Sequence, residues 1–234
     1  MSVGSVLAIG GHPDDVELGC GATLLAHRAA GHRTAVLVMT GGEHGRSGPE
    51  PREREQRAAA STLGAELFWG GFVDCEVPAD RVAIDRIEAV ISAVNPDIVY
   101  VHAPDDAHQD HRTVSSAAIS AARRQCRILF YPTPSTLHFE PTVFVDVEQY
   151  LEGKLCALAC HESQVSAESI LLDAVAASAR HWGAIARIRL AEAFVPVRFV
   201  WDVGNQPGPP VLDGDMWVRT IELAAREPSR IATE

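Results

Sequence analysis

No apolar run in this chain approaches the ~20 residues that a helix needs to cross a bilayer. The opening Met1-Ser2-Val3-Gly4-Ser5 carries no basic segment, and the apolar run after it is too short for a secretory signal. A cytoplasmic location without a membrane span is the expectation. Basic residues are scarce and scattered: 20 Lys and Arg stand against 31 Asp and Glu, for a formal net charge of −11. Lacking a basic cluster, the chain is a poor partner for nucleic acid or an anionic membrane surface. Cysteine is confined to positions 20, 75, 126, 156 and 160, with no CxxC pair. Cys156 and Cys160 share one face of a helical pattern instead of forming a zinc knuckle. Reduced and mostly buried thiols are expected.

The chain does have 234 residues, 47% of them hydrophobic, enough for one α/β core. Short β-branched runs at Ser5–Ile9, Thr34–Met39, Glu66–Trp69, Asp97–His102, Arg127–Tyr131 and Thr142–Val147 predict strands. Helical patterns lie between them at Gly21–Ala30, Arg52–Leu63, Arg81–Val94 and His111–Arg123. In the third, Ile84, Ile87, Ile91 and Val94 recur at helical spacing, a buried stripe. Residues from Gln149 to about Ala193 also read as helical, with Leu151, Leu155 and Leu158 facing one way. This alternation predicts a Rossmann-like three-layer α/β sandwich with a mostly parallel sheet covered on both faces. One domain over 1–203 is expected. Residues 204–234 are expected to form an appendage, "GNQPGPP" as a loop and "MWVRTIELAAR" as a short strand or helix packed on the same domain. Whether copies of the chain associate into a homo-oligomer is left open.

Ligands of such sheets bind beyond the carboxyl ends of the strands, so polar clusters placed there carry the most information. "GGHPDD" (10–15) follows the first strand, and "APDDAHQDHRTV" (103–114) follows "DIVYVHA". His12 and Asp15 are three apart in a turn stiffened by Pro13, so both can face one metal. His111 would add a third ligand from the start of the next helix. Two imidazoles and a carboxylate with one position left for water suit a catalytic zinc site. Each cluster alone also has a plain explanation: Asx residues and proline form turns, and aspartate caps helices. Their joint occurrence after two strands of one sheet favours the site. His102, ending an apolar strand, reads as structural.

In order along the chain, "GGHPDD", "TGGE", the Arg52–Glu55 "RxxE", "HQDH", "HESQ" (161–164) and "AEAF" (191–194) resemble the PIG-L/LmbE-like zinc de-N-acetylases. These form the N-acetylglucosaminyl-phosphatidylinositol deacetylase superfamily, and the resemblance runs from about Val6 to Phe194. It implies an LmbE-like fold in which His12, Asp15 and His111 bind Zn2+, or another divalent transition metal. It implies Asp14 as general base for a zinc-activated water attacking the amide of an N-acetylated amino sugar conjugate. His108 would stabilise the oxyanion and help protonate the leaving amine, with Asp110 orienting His108 and keeping it charged. Glu43 and Arg52 would line the sugar pocket, although Arg52 equally suits a charged first helical turn in which Glu55 pairs with it. His44 and the His161-Ser163-Gln164 cluster receive no role.

Two other readings compete. A small-molecule amidase acting on a non-sugar amide would use the same residues. A nucleotide-binding Rossmann module would use "GCGATL" (19–24) as its phosphate loop, but that segment lacks the third glycine of the motif and does not directly follow the strand.

Overall fold

At the centre of the sheet lies β1 (Ser5–Gly10), whose residues from Val6 onward are buried. It pairs in parallel with β2 (Arg33–Thr40) and β4 (Ile98–His102). The computed structural model describes residues 4–45, 48–125, 127–165 and 171–201. The appendage expected at 204–234, and Cys126, lie outside the described residues.

Among the described residues the sheet has seven strands in the order β3-β2-β1-β4-β5-β7-β6, completed by β3 (Glu66–Phe72), β5 (Arg127–Tyr131), β6 (Val143–Asp146) and β7 (Ala191–Phe199). Strands β1 to β5 pair in parallel; β7 runs antiparallel to both β5 and β6. The helices are α1 (Asp15–Ala29), α2 (Pro49–Leu63), α3 (Arg81–Val94), α4 (Gln109–Ala121), α5 (Leu151–Ala159), α6 (Glu162–Val165) and α7 (Leu171–Ala186).

Successive strand residues point to opposite faces, which divides the core in two. Leu7, Ile9 and Leu37 pack with Ile87 and Ile91 of α3 and Val114 of α4. Val6, Ala8 and Val36 pack with Val16 and Leu24 of α1, Leu63 of α2 and Ala157 of α5. Each fully buried Leu or Ile contributes about 1.5–3 kcal/mol relative to exposure. The architecture is therefore the three-layer α/β sandwich with a mostly parallel sheet. Among the described residues no helix is long and apolar enough to cross a membrane.

Three expectations need correction. Helix α1 begins at Asp15, not Gly21, and passes through both glycines of "GCGATL". Gly19 is required there because a Cβ would lie 2.0 Å from the buried Tyr131 ring. These buried glycines line no phosphate loop, so the nucleotide-binding reading loses its cradle. The helix breaks its regular geometry at Cys20 (φ −145°), and the Glu192 carboxylate accepts the N–H groups of Ala22 (3.1 Å) and Thr23 (2.7 Å) just beyond. Second, the stretch read as helical to about Ala193 turns into strand at Ala191, because residues 191–194 pair with β6 and the rest of β7 continues along β5. Third, of the four described cysteines, all free, only Cys20 is buried; Cys75 and Cys156 are exposed.

Candidate metal centre

The turn after β1 and the first turn of α4 bring His12, Asp15 and His111 together at the carboxyl edge of the sheet. His12 Nδ1 lies 3.2 Å from Asp15 Oδ2 and 3.2 Å from His111 Nε2. His111 Nε2 lies 3.4 Å from Asp15 Oδ2. Ligand atoms of a tetrahedral site with bonds of about 2.0–2.1 Å are separated by about 3.3 Å. The three donors therefore already have the spacing of one face of such a site.

The outer ring nitrogens support the same fit. His12 Nε2 lies 3.0 Å from Asp74 Oδ1 and 3.3 Å from Asp110 Oδ2. His111 Nδ1 lies 3.2 Å from Asp106 Oδ1. Protons held on these outward nitrogens leave the inward lone pairs free, the arrangement usual for metal-binding histidines. Nitrogen atoms of His12, His108 and His111 also approach within 4.8 Å of one another, as do donors of Asp15, His102 and His111.

Charge is concentrated and mostly buried here. Burial opposes protonation of His12, yet the carboxylates of Asp110, Asp15 and Asp74 lift its pKa up to about 12, so a metal entering here displaces a proton from Nδ1. Burial opposes ionisation of Asp15, but His111 and His102 hold its carboxyl well below the usual range. The His102 ring is fully buried, stacks on His111 with centroids 3.9 Å apart, and accepts the Gly11 N–H at 2.9 Å. Burial pushes its pKa down to about 4, so it forms a neutral wall of the site.

Asp14 turns the other way. Its backbone sits at φ 98°, in the left-handed region that non-glycine residues rarely adopt. The strained turn is held by its N–H donating to Gln56 Oε1 at 3.1 Å and by Arg52. Arg52 is 5% exposed, donates to the Pro13 carbonyl at 2.6 Å and lies 3.4 Å from Asp14 Oδ2. Burial and then the Asp15 charge raise the Asp14 carboxyl to about 7, against the pull of Arg52. Gln56 in turn donates to Glu17 at 2.7 Å, and Glu17 lies 3.7 Å from the fully buried His161.

A cavity of about 400 Å³ opens over these groups, with Asp14, Arg52, His108 and His111 in its wall. Arg52 thus faces the site, and Glu55 does not pair with it: Glu55 accepts from the Ser163 N–H and hydroxyl at 2.9 and 2.7 Å. Glu43 is absent from that wall; its carboxylate accepts the Asp74 N–H at 2.8 Å and braces the loop after β3. Asp110 meets His108 through its backbone. Its backbone N–H donates to His108 Nδ1 at 3.2 Å, while its carboxylate faces His12 and accepts the Cys75 N–H at 2.7 Å. Burial, followed by the charges of His12 and His111, lowers the His108 pKa, while the Asp110 carboxylate raises it.

The model of the PIG-L family, GlcNAc-PI de-N-acetylase, matches residues 7–122. A deacetylase of Escherichia coli, YaiS, itself uncharacterized, is 41% identical over 167 residues, covering 68% of this chain and 90% of that one. The chain belongs to the PIG-L family of deacetylases. Another relative, the diacetylchitobiose deacetylase of Thermococcus kodakarensis, is 30% identical over 193 residues, with 69% and 70% of the two chains covered. Among solved structures, the conserved protein TT1542 of Thermus thermophilus superposes with a TM-score of 0.78 at 29% identity, covering 86% of this chain and 98% of that one.

Two acids of this PIG-L member's site escaped the sequence reading. Asp106 lies inside the quoted "APDDAHQDHRTV", and Asp74 follows β3. Their positions after strands of a parallel sheet were the available signal.

Proposed function

We propose that the protein is a metal-dependent N-deacetylase removing an acetyl or other short acyl group from the amide nitrogen of an N-acetylglucosamine-type sugar conjugate. The observation that carries this reading is the convergence of His12 Nδ1, Asp15 Oδ2 and His111 Nε2 within 3.2–3.4 Å, with Asp14 beside them. Two imidazoles and one carboxylate suit Zn2+, with another divalent transition metal as the alternative. A cation held there supplies Lewis acidity, polarising the amide carbonyl and acidifying a water.

Asp14 takes the proton of the attacking water, a task matched by its acidity near neutral pH. Arg52, tied to the Pro13 carbonyl, keeps that carboxylate in place. His108 accepts the Asp110 N–H at Nδ1, which leaves its proton on Nε2. A neutral Nε2–H of this kind donates to the oxyanion as it develops. Asp14, once protonated, and His108 are the groups able to return a proton to the departing amine. The products are a free amine and a short carboxylic acid.

The sugar half of the proposal draws on the diacetylchitobiose deacetylase relative. Amine release from a panel of N-acetylglucosamine conjugates and simple acetamides, with and without a chelator, tests both halves. Release from sugar conjugates that stops on chelation is expected and returns with added Zn2+. Release that survives chelation overturns the metal-dependent reading, and release from simple amides alone overturns the sugar assignment.

A further inference from the structure

His44, Asp74 and Cys75 stand together at the same sheet edge, outside the three proposed ligands. His44 follows β2 and Asp74-Cys75 follow β3, so two neighbouring loops supply three different donor types. One donor atom from each lies within 4.8 Å of the others. We propose that these three residues form a second site, one for a soft divalent cation such as Zn2+ or Cd2+, whose occupation suppresses turnover.

The donor set carries the choice of ion. Thiolate and imidazole favour zinc and cadmium over magnesium and calcium, which prefer oxygen. Tetrahedral zinc with one sulfur donor separates its ligand atoms by about 3.3–3.7 Å. Closing the group asks little of the protein, because Cys75 Sγ already lies 3.4 Å from Asp74 Oδ1 and His44 and Cys75 are both exposed. Asp74 is that anchor: its side chain is 7% exposed, its N–H is held by Glu43, and Oδ2 accepts the His44 N–H at 3.2 Å. Three protein donors leave the cation exchangeable, unlike a closed four-ligand structural site. Binding at Cys75 releases the thiol proton to solvent.

Two features link occupation to turnover. His44, Asp74 and Cys75 line the same cavity as Asp14 and His108, so a cation among them stands where substrate enters. Asp74 Oδ1 also lies 3.0 Å from His12 Nε2. A cation drawing on that carboxylate loosens the restraint on a proposed ligand of the first metal. The first effect obstructs substrate, and the second disturbs the centre itself.

The test loads the enzyme with one metal equivalent, then titrates Zn2+ or Cd2+ by equilibrium dialysis while following turnover. Wild type is expected to take up a second equivalent, lose activity as it does so, and with Cd2+ show the ultraviolet charge-transfer band of a cadmium thiolate. Losing a direct ligand should cost at least the roughly tenfold that an outer partner costs. The Zn2+ concentration that halves turnover should therefore rise about tenfold or more in Cys75→Ser and in His44→Ala, with the first equivalent retained. His111→Ala should lose the first equivalent yet keep the cadmium–thiolate band, which separates this site from the proposed catalytic one. A single equivalent in wild type overturns the proposal. So does a second equivalent that survives both Cys75→Ser and His44→Ala, or one that binds without loss of turnover.

Discussion

Asp106 Oδ1 lies 3.2 Å from Nδ1 of His111, so a buried carboxylate sets which nitrogen of that imidazole faces the candidate metal. The same carboxylate accepts the His108 N–H at 2.8 Å and the hydroxyls of Thr133 and Thr136 at 3.0 Å each. It is therefore fixed before any metal binds, and its orientation is passed on to His111. Asp106→Ala is expected to weaken metal binding roughly 10–100-fold, the usual cost of losing such a partner. Chelator competition measures the effect, and turnover should recover at saturating metal. Unchanged affinity would show that the Ser135 hydroxyl, 3.3 Å from Nδ1, and the stacking on His102 orient His111 without Asp106.

Asp14→Asn keeps the size of the side chain and leaves His12, Asp15 and His111 untouched. Metal content should stay at the wild-type value while turnover falls by about 10²–10⁴, the range ascribed to a positioned general base. Elemental analysis and amine release on the same preparation check both halves. Loss of metal would exchange the roles given to Asp14 and Asp15.

Strands β1 to β5 and helices α2 to α4 were legible because their apolar periods agree with their environments. Ile87 and Ile91 fall on the buried face that their spacing predicts. What escaped depends on distant partners. "AEAF" is rich in helix formers, but Ala193 and Phe194 pair with β6 and are almost fully buried. Helix α1 carries two glycines that weaken any helical reading, yet Tyr131 leaves no room for a larger residue at Gly19. The metal candidates were legible because short motifs follow strands. Asp74 and Asp106 were not singled out, since their value lies in ring nitrogens contributed from elsewhere in the chain. Sequence adjacency put Asp110 beside His108, and its backbone N–H does meet that ring; that the helix turn aims its carboxylate at His12 was not legible.

Away from the site, His27 gives the protein an acid-sensitive contact. Its Nε2 lies 2.7 Å from the Tyr100 hydroxyl and its Nδ1 2.9 Å from His32 Nδ1. Burial, then the neighbouring His32, lowers the His27 pKa from 6.5 to about 4. Between these values the unfolded chain binds a proton that the folded chain refuses, so stability falls as pH drops from about 6.5 to 4. His27→Gln removes that contribution. Urea midpoints for both proteins at several pH values should show wild type losing more stability than the variant across this window. Parallel profiles would mean that His27 titrates alike in both states.

Lys154 of α5 and Glu192 of β7 form a salt bridge of 2.6 Å with side chains only 6% and 5% exposed. Lys154 also donates to the Leu18 carbonyl at 2.7 Å, and Glu192 caps the helix beyond the Cys20 break. Lys154→Met leaves a buried carboxylate without its cation and should cost about 3–5 kcal/mol in denaturant unfolding. Glu192→Gln leaves the ammonium unpaired instead and weakens the cap. Because each single change strands one charge, the double variant should be less destabilised than the sum of the two. A double-mutant cycle reads that difference directly. Strict additivity would show that Glu192 acts through the α1 cap and that the ion pair adds no stability of its own.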